Sequence, residues 1–146
     1  MSPRDFLDTA DDLAAGARES DWRSAVSRAY YAAFHTGRAL LRQIGFPVPD
    51  ADSGHQYASR RLAGAGRPDI SRLGNDLAHL RGLRKRADYD LHRPLDQAEA
   101  IDLVQAAREI IDLLEQVAAT PHVRDAIRDA MRAHERDILH EATYRP

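Results

Sequence analysis

Apolar positions recur at helical spacing along nearly the whole chain, and no segment shows the strict alternation of a half-buried strand. Ser2 followed by Pro3 is a cap with proline at the first helical position, and Phe6, Leu7, Ala10, Leu13, Ala14 and Ala17 continue it as a first helix. Ser20 or Asp21 is expected to cap a second helix, with a buried stripe running from Trp22 through Val26, Tyr30 and Gly37 to Ile44. The Pro47, Pro49, Asp50, Asp52, Ser53 stretch reads as a loop. A short helix is expected from His55 to Ala63, ended by Gly64-Ala65-Gly66. Pro68 and Asp69 open the next, with Leu73, Leu77, Leu80, Leu83, Ala87 and Leu91 inward.

Pro94 disfavours helical geometry at Arg93, so that helix should finish near Leu91 or His92. Asp96 caps a long helix whose inward positions include Ala100, Ile101, Val104, Ile111 and Val117. Thr120-Pro121 restarts the chain as a last amphipathic helix carrying Val123, Ile127, Met131, Ile138 and Leu139. Short loops between long helices make antiparallel neighbours. The expectation is therefore an all-α, up-and-down four- to five-helix bundle with an additional C-terminal helix. It forms one domain over 1–146, with a core at about 5–118 and an extension over 121–142.

Composition narrows the class. The 146 residues contain no cysteine, so disulfides, thiolate zinc sites and thiol nucleophiles are excluded. The longest apolar run, 29–34, is far too short for a membrane span, and the N-terminus lacks a secretory signal. A soluble cytoplasmic protein without membrane association is expected. Charge is uneven: residues 60–93 hold nine basic and four acidic side chains, a balance of +5 within a chain of net charge −2. Such a local positive field suits a phosphate-bearing partner; the alternative is a solvated face with internal ion pairs.

Two segments carry a family resemblance. Ser27-Arg28-Ala29-Tyr30-Tyr31-Ala32-Ala33-Phe34-His35, followed by Arg38-Ala39-Leu40-Leu41, resembles the second helix of HEPN domains. Leu83-Arg84-Lys85-Arg86-Ala87-Asp88-Tyr89-Asp90 resembles the Arg-x-x-Ala-Asp-Tyr signature of a prokaryotic, toxin-like branch of the same family. The resemblance implies a helical bundle that dimerises. Many members are metal-independent endoribonucleases, often toxins paired with a small nucleotidyltransferase antitoxin. Their motif, an arginine, four to six residues and a histidine, is matched by Arg86 and His92. Ala87 and Pro94 stand where the most active branches carry a polar residue and a tyrosine.

These residues suit RNA cleavage without metal or cofactor. Histidine serves proton transfer near neutral pH, and arginine serves the phosphoryl oxygens. Arg84, Asp88 and His92, at i, i+4 and i+8, line one helix face, which would let Asp88 orient His92. Arg86 and His92 lie about 240° apart on an ideal helix and converge only if the chain leaves the helix before His92. The candidate catalytic residues are therefore Arg86, His92 and Asp88; Arg84, Lys85 and Arg93 are candidates for substrate binding, with RNA as the substrate.

Each has a plainer reading: Arg84–Asp88 as an intrahelical ion pair, His92 as a charge against the helix dipole, and Tyr89 and Tyr30–Tyr31 as packing residues. Ser27 and Arg28 are within reach of the cleft between helices, although solvated roles are commoner. His35, His55, His79 and His122 are scattered without metal-ligand spacing, and His134-Glu135 with His140 fails the zincin register. The competing functions are a non-catalytic RNA- or nucleotide-binding module working with a nucleotidyltransferase, and a helical scaffold. The scaffold would satisfy the basic segment internally.

Overall fold

The computed structural model describes all 146 residues, in six α-helices and no strands. They are α1 (Pro3–Ala14), α2 (Glu19–Gln43), α3 (Ser53–Ala63), α4 (Pro68–Tyr89), α5 (Gln97–Ala118) and α6 (Pro121–His134). α2 is the central element and packs against α1, α3, α4 and α5. Its inner face explains this: Ala25, Ala29, Ala32, Ala33 and Gly37 are all buried and short, so neighbouring helices approach closely. Larger side chains fill the space between helices, with Tyr30, Phe46, Leu62, Ile70, Ile111 and Leu114 fully enclosed. No helix is long and apolar enough to cross a membrane.

Local chemistry accounts for the boundaries. Pro3, Pro68 and Pro121 sit in first turns, where their missing N–H is not needed. At the start of α5 the Glu99 N–H donates to the Asp96 carboxylate at 2.8 Å, and the Asp96 N–H donates back to Glu99 at 3.3 Å, a reciprocal cap. α2 begins at Glu19 rather than at Ser20 or Asp21, because Asp21 reaches back to accept the Arg18 N–H at 3.2 Å. α3 starts at Ser53, two residues before His55. Gly74 lets α4 lie directly on α3: a Cβ there would stand 2.4 Å from the Ala63 nitrogen.

Three expectations are corrected. α4 ends at Tyr89, before Leu91, which is therefore 72% exposed instead of inward. Tyr89, expected to pack, is 78% exposed. Ile101, expected inward, lies on the solvent side of α5.

The C-terminal segment differs most from a simple helix. α6 buries Ile127 and Met131 in the same apolar core as α1–α5. It then widens into a π-turn over Glu135–Leu139, and His140 adopts a left-handed backbone (φ 54°) that stops it. Ile138, expected to be inward, is exposed. The wide turn accompanies the inward rotation of Glu135, which is buried and accepts 2.8 Å from Arg61 of α3. Arg61 also pairs with Glu141, and Thr143 donates to Glu135 while its hydroxyl meets the Tyr57 hydroxyl at 2.6 Å. Residues 141–145 thus form a strap over α3. It ends where the Arg145 N–H donates to the Gly45 carbonyl at 2.7 Å.

Candidate functional site

The end of α4 is shaped by an arginine from another helix. The Asp90 N–H closes the last turn on the Arg86 carbonyl at 2.9 Å, and the carbonyls beyond it would be left without donors. Arg23 of α2 supplies them. Its guanidinium donates to the carbonyls of Ala87 (2.9 Å), Asp90 (3.1 Å) and Arg93. The same side chain pairs with Glu19 at 2.7 Å. That pairing, together with the Leu95 N–H, holds the Glu19 carboxyl below its usual range. One guanidinium therefore folds residues 90–93 into a turn and fixes it to α2.

The turn takes His92 off the helix, so the Arg84–Asp88–His92 row is broken after Asp88. Asp88 does not orient His92. Its carboxylate accepts from Ser27 Oγ at 3.3 Å and from Arg84 at 3.5 Å, and no hydrogen bond joins it to His92. His92 is exposed and makes no side-chain hydrogen bond. Arg86 and Arg93 line one cleft between α4 and α5, together with Leu83, Pro94, Leu95 and Glu99. Lys85, Arg86 and Arg93 are exposed, and none forms an ion pair. Arg84 differs from its neighbours: its side chain is only 9% exposed. It lies outside the cleft that Arg86 and Arg93 line.

A second group of residues surrounds Arg84 on the opposite side of α4. Its guanidinium carbon lies 5.6 Å from the centroid of the Tyr30 ring and 5.5 Å from that of Tyr31. Arg28 approaches the Tyr31 ring at 5.3 Å and the Phe6 ring at 5.2 Å. The Tyr30 hydroxyl meets His55 Nδ1 at 2.7 Å, and Arg81 pairs with Asp52 at 3.2 Å. Burial pushes the Tyr30 phenol up. Burial, reinforced by Arg81, pushes His55 down, and burial with Arg38 and Arg28 does the same to His35. Both imidazoles are thus held towards the neutral form.

Sequence reasoning noted Ser27, Arg28 and the tyrosine pair but did not assemble them with His55, and it did not single out Arg23. The i, i+3 and i+4 spacings from Ser27 to Tyr30 and Tyr31 carry part of the signal. Arg84 of α4 is a substrate-binding candidate from the sequence, whereas His55 of α3 and Arg81 of α4 carry no signal that a single sequence shows.

The HEPN domain family matches the chain over residues 4–117. The chain is a HEPN protein. That family includes ribonucleases and nucleotide-binding modules. No curated protein and no solved structure matches it significantly. Within this HEPN chain the matched region contains α2–α4 and all but one residue each of α1 and α5, hence every residue of both groups. α6 and the strap lie outside it.

Proposed function

We propose that this HEPN protein is a metal-independent endoribonuclease, acting as the toxin of a toxin–antitoxin pair in the cytoplasm with a nucleotidyltransferase as its antitoxin. One observation carries the reading: Lys85, Arg86 and Arg93, at the end of α4 and in the turn after it, are exposed and form no ion pair, and the neighbouring His92 is exposed with no hydrogen bond. A scaffold would have satisfied these charges internally. A phosphodiester needs them open.

In the reaction, the RNA 2′-hydroxyl attacks the adjacent phosphorus, the P–O2′ bond forms and the P–O5′ bond breaks. The products are a 2′,3′-cyclic phosphate and a 5′-hydroxyl. One imidazole takes the 2′ proton and a second, protonated one gives a proton to O5′. A homodimer that joins two α4 ends in one cleft supplies His92 from each protomer. Arg86 meets the charge that builds on the phosphoryl oxygens, Lys85 and Arg93 hold flanking phosphates, and Asp88 acts indirectly by fixing Arg84 and Ser27.

The test is cleavage of a mixed tRNA and mRNA pool in EDTA by the wild type, Arg86→Ala and His92→Ala, with cyclic-phosphate ends scored. Cutting by the wild type alone supports the reading; equal cutting by all three overturns the assignment. A second reading, a non-catalytic RNA-binding module, is favoured by the engagement of Asp88 away from His92, which leaves that imidazole without an orienting carboxylate. It predicts RNA binding without cutting.

A further inference from the structure

The two arginines beside Tyr31 are unusual in how they are held. Arg28 is half-buried and has no acidic partner; its only side-chain contact of hydrogen-bond type is to Ser27 Oγ at 3.5 Å. What fixes it is a pair of aromatic rings, Phe6 and Tyr31. Arg84 is held in the same way by Tyr30 and Tyr31, and its contact to Asp88 is long at 3.5 Å. Its Nε is buried with no hydrogen-bond partner, and so is the Nε of Arg81. A buried guanidinium nitrogen without an acceptor is costly and calls for an explanation.

Ring contacts restrain a guanidinium while leaving its N–H edges unpaired. Arg28 and Arg84 are restrained against one ring, 5.3 and 5.5 Å from its centroid. Lys85, exposed and unpaired, follows Arg84 in the chain. The acids nearby are few: Asp88 faces Ser27 and Arg84, and Asp52 is 89% exposed and pairs with Arg81. His35 and His55, held towards neutrality, add donors and acceptors without neutralising the cations.

We propose that Arg28, Arg84 and Lys85 bind a backbone phosphate of the RNA strand at a subsite separate from the Arg86–Arg93 cleft, with Tyr31 as the brace that presents both guanidiniums. The subsite rests on the RNA reading above, but it concerns binding alone. Asp88, which accepts from Ser27 and Arg84, stands in the last turn of α4, just ahead of the turn that carries His92. The half-buried surface position of Tyr31 suits a strand laid along the face rather than a small molecule enclosed within it.

The experiment measures binding of a fluorescent, fully 2′-O-methylated oligoribonucleotide, which cannot be cut, across a salt series. Arg28→Gln, Tyr31→Leu and Tyr31→Phe are compared with the wild type after circular dichroism and thermal melting confirm folding. Arg28→Gln is expected to weaken binding about tenfold and to reduce the slope of log K against log salt by roughly 0.7, the value for one phosphate contact on a single strand. Tyr31→Leu weakens binding, and Tyr31→Phe, which keeps the ring, behaves as wild type. Sodium phosphate at matched ionic strength displaces the oligonucleotide from wild type more than from Arg28→Gln.

Unchanged affinity and slope in Arg28→Gln overturn the subsite, as does the absence of RNA binding by the wild type, or phosphate-ion binding without RNA binding. Cleavage is scored separately. Loss of cutting in Arg86→Ala with normal binding in Arg28→Gln removes the subsite and keeps the ribonuclease. No cutting by the wild type, with weakened binding in Arg28→Gln, keeps the subsite and removes the ribonuclease.

Discussion

Arg23 reaches from α2 to donate to the Ala87 carbonyl at 2.9 Å, which places one partly buried charge at the C-terminal end of α4. Helix C-termini carry partial negative charge, so this guanidinium is favoured by the dipole as well as by its hydrogen bonds. Its side chain is 12% exposed, and the carbonyls of Asp90 and Arg93 share it. Arg23→Gln should cost roughly 2 kcal/mol of stability, from lost charge-assisted hydrogen bonds. Urea denaturation measures the total. Hydrogen exchange should localise the loss to residues 90–95, and uniform loosening of the bundle would contradict the role.

Because the turn presents His92 without a hydrogen-bond partner, its removal should affect chemistry and not folding. His92→Ala is expected to reduce RNA cutting by about a hundredfold or more, the scale of general acid–base catalysis, with unchanged thermal melting. Arg86→Lys keeps the charge but loses the fork, so it should retain partial activity where Arg86→Ala does not. Single-turnover cleavage assays distinguish these cases.

His55 should make stability depend on pH. Burial and the field of Arg81 depress its folded-state pKa, while Asp52 opposes them and Arg84 and Lys85 add to the depression. Such a group binds its proton more readily in the unfolded chain. Its contribution is therefore complete above the ordinary histidine value of about 6.5 and is lost as the pH falls below it. Thermal melts from neutral to mildly acidic pH should show a falling midpoint, and His55→Gln should flatten that fall. A slope unchanged in His55→Gln would assign the effect to other groups, His35 first.

Arg61 and Glu135 form a buried pair, 2.8 Å apart and nearly unexposed at both ends. Arg61→Met leaves a buried carboxylate uncompensated and should cost about 3–5 kcal/mol. The double variant Arg61→Met with Glu135→Met should recover much of that loss, since neither charge then remains. Glu135 titrates in the opposite sense to a buried lone acid. Burial alone would raise its pKa, but Thr143 and Arg61 lower it overall. Its stabilisation is thus present above the ordinary carboxylate range and disappears as the pH falls through the depressed value. Acid denaturation followed by urea midpoints in the wild type and the double variant checks both statements.

Most of the helices were legible in the sequence because their apolar stripes and proline or carboxylate caps are local. The end of α4 was not. Pro94 suggested a stop at Leu91 or His92, but Arg23, more than sixty residues away in the chain, sets it at Tyr89 by capping carbonyls that no local pattern identifies. The same distance hid the group around Tyr31, whose members come from α1, α2, α3 and α4. Asp88 was legible as a carboxylate beside cations but not in its choice of partner. Its i+4 relation to His92 exists only while the helix lasts, and Ser27 of α2 competes for it.

The boundary of the family match runs through a structural dependence. Residue 117 ends the matched region, yet Arg61, well inside it, is neutralised by Glu135 and Glu141, both beyond it. A fragment trimmed to the family region would leave that guanidinium beside Tyr57 with no counter-charge, and would uncover the apolar surface that Ile127 and Met131 close. Expression designs that stop after α5 should therefore yield an insoluble or loosened product, and shuffling this domain between proteins requires carrying α6 and the strap along with it.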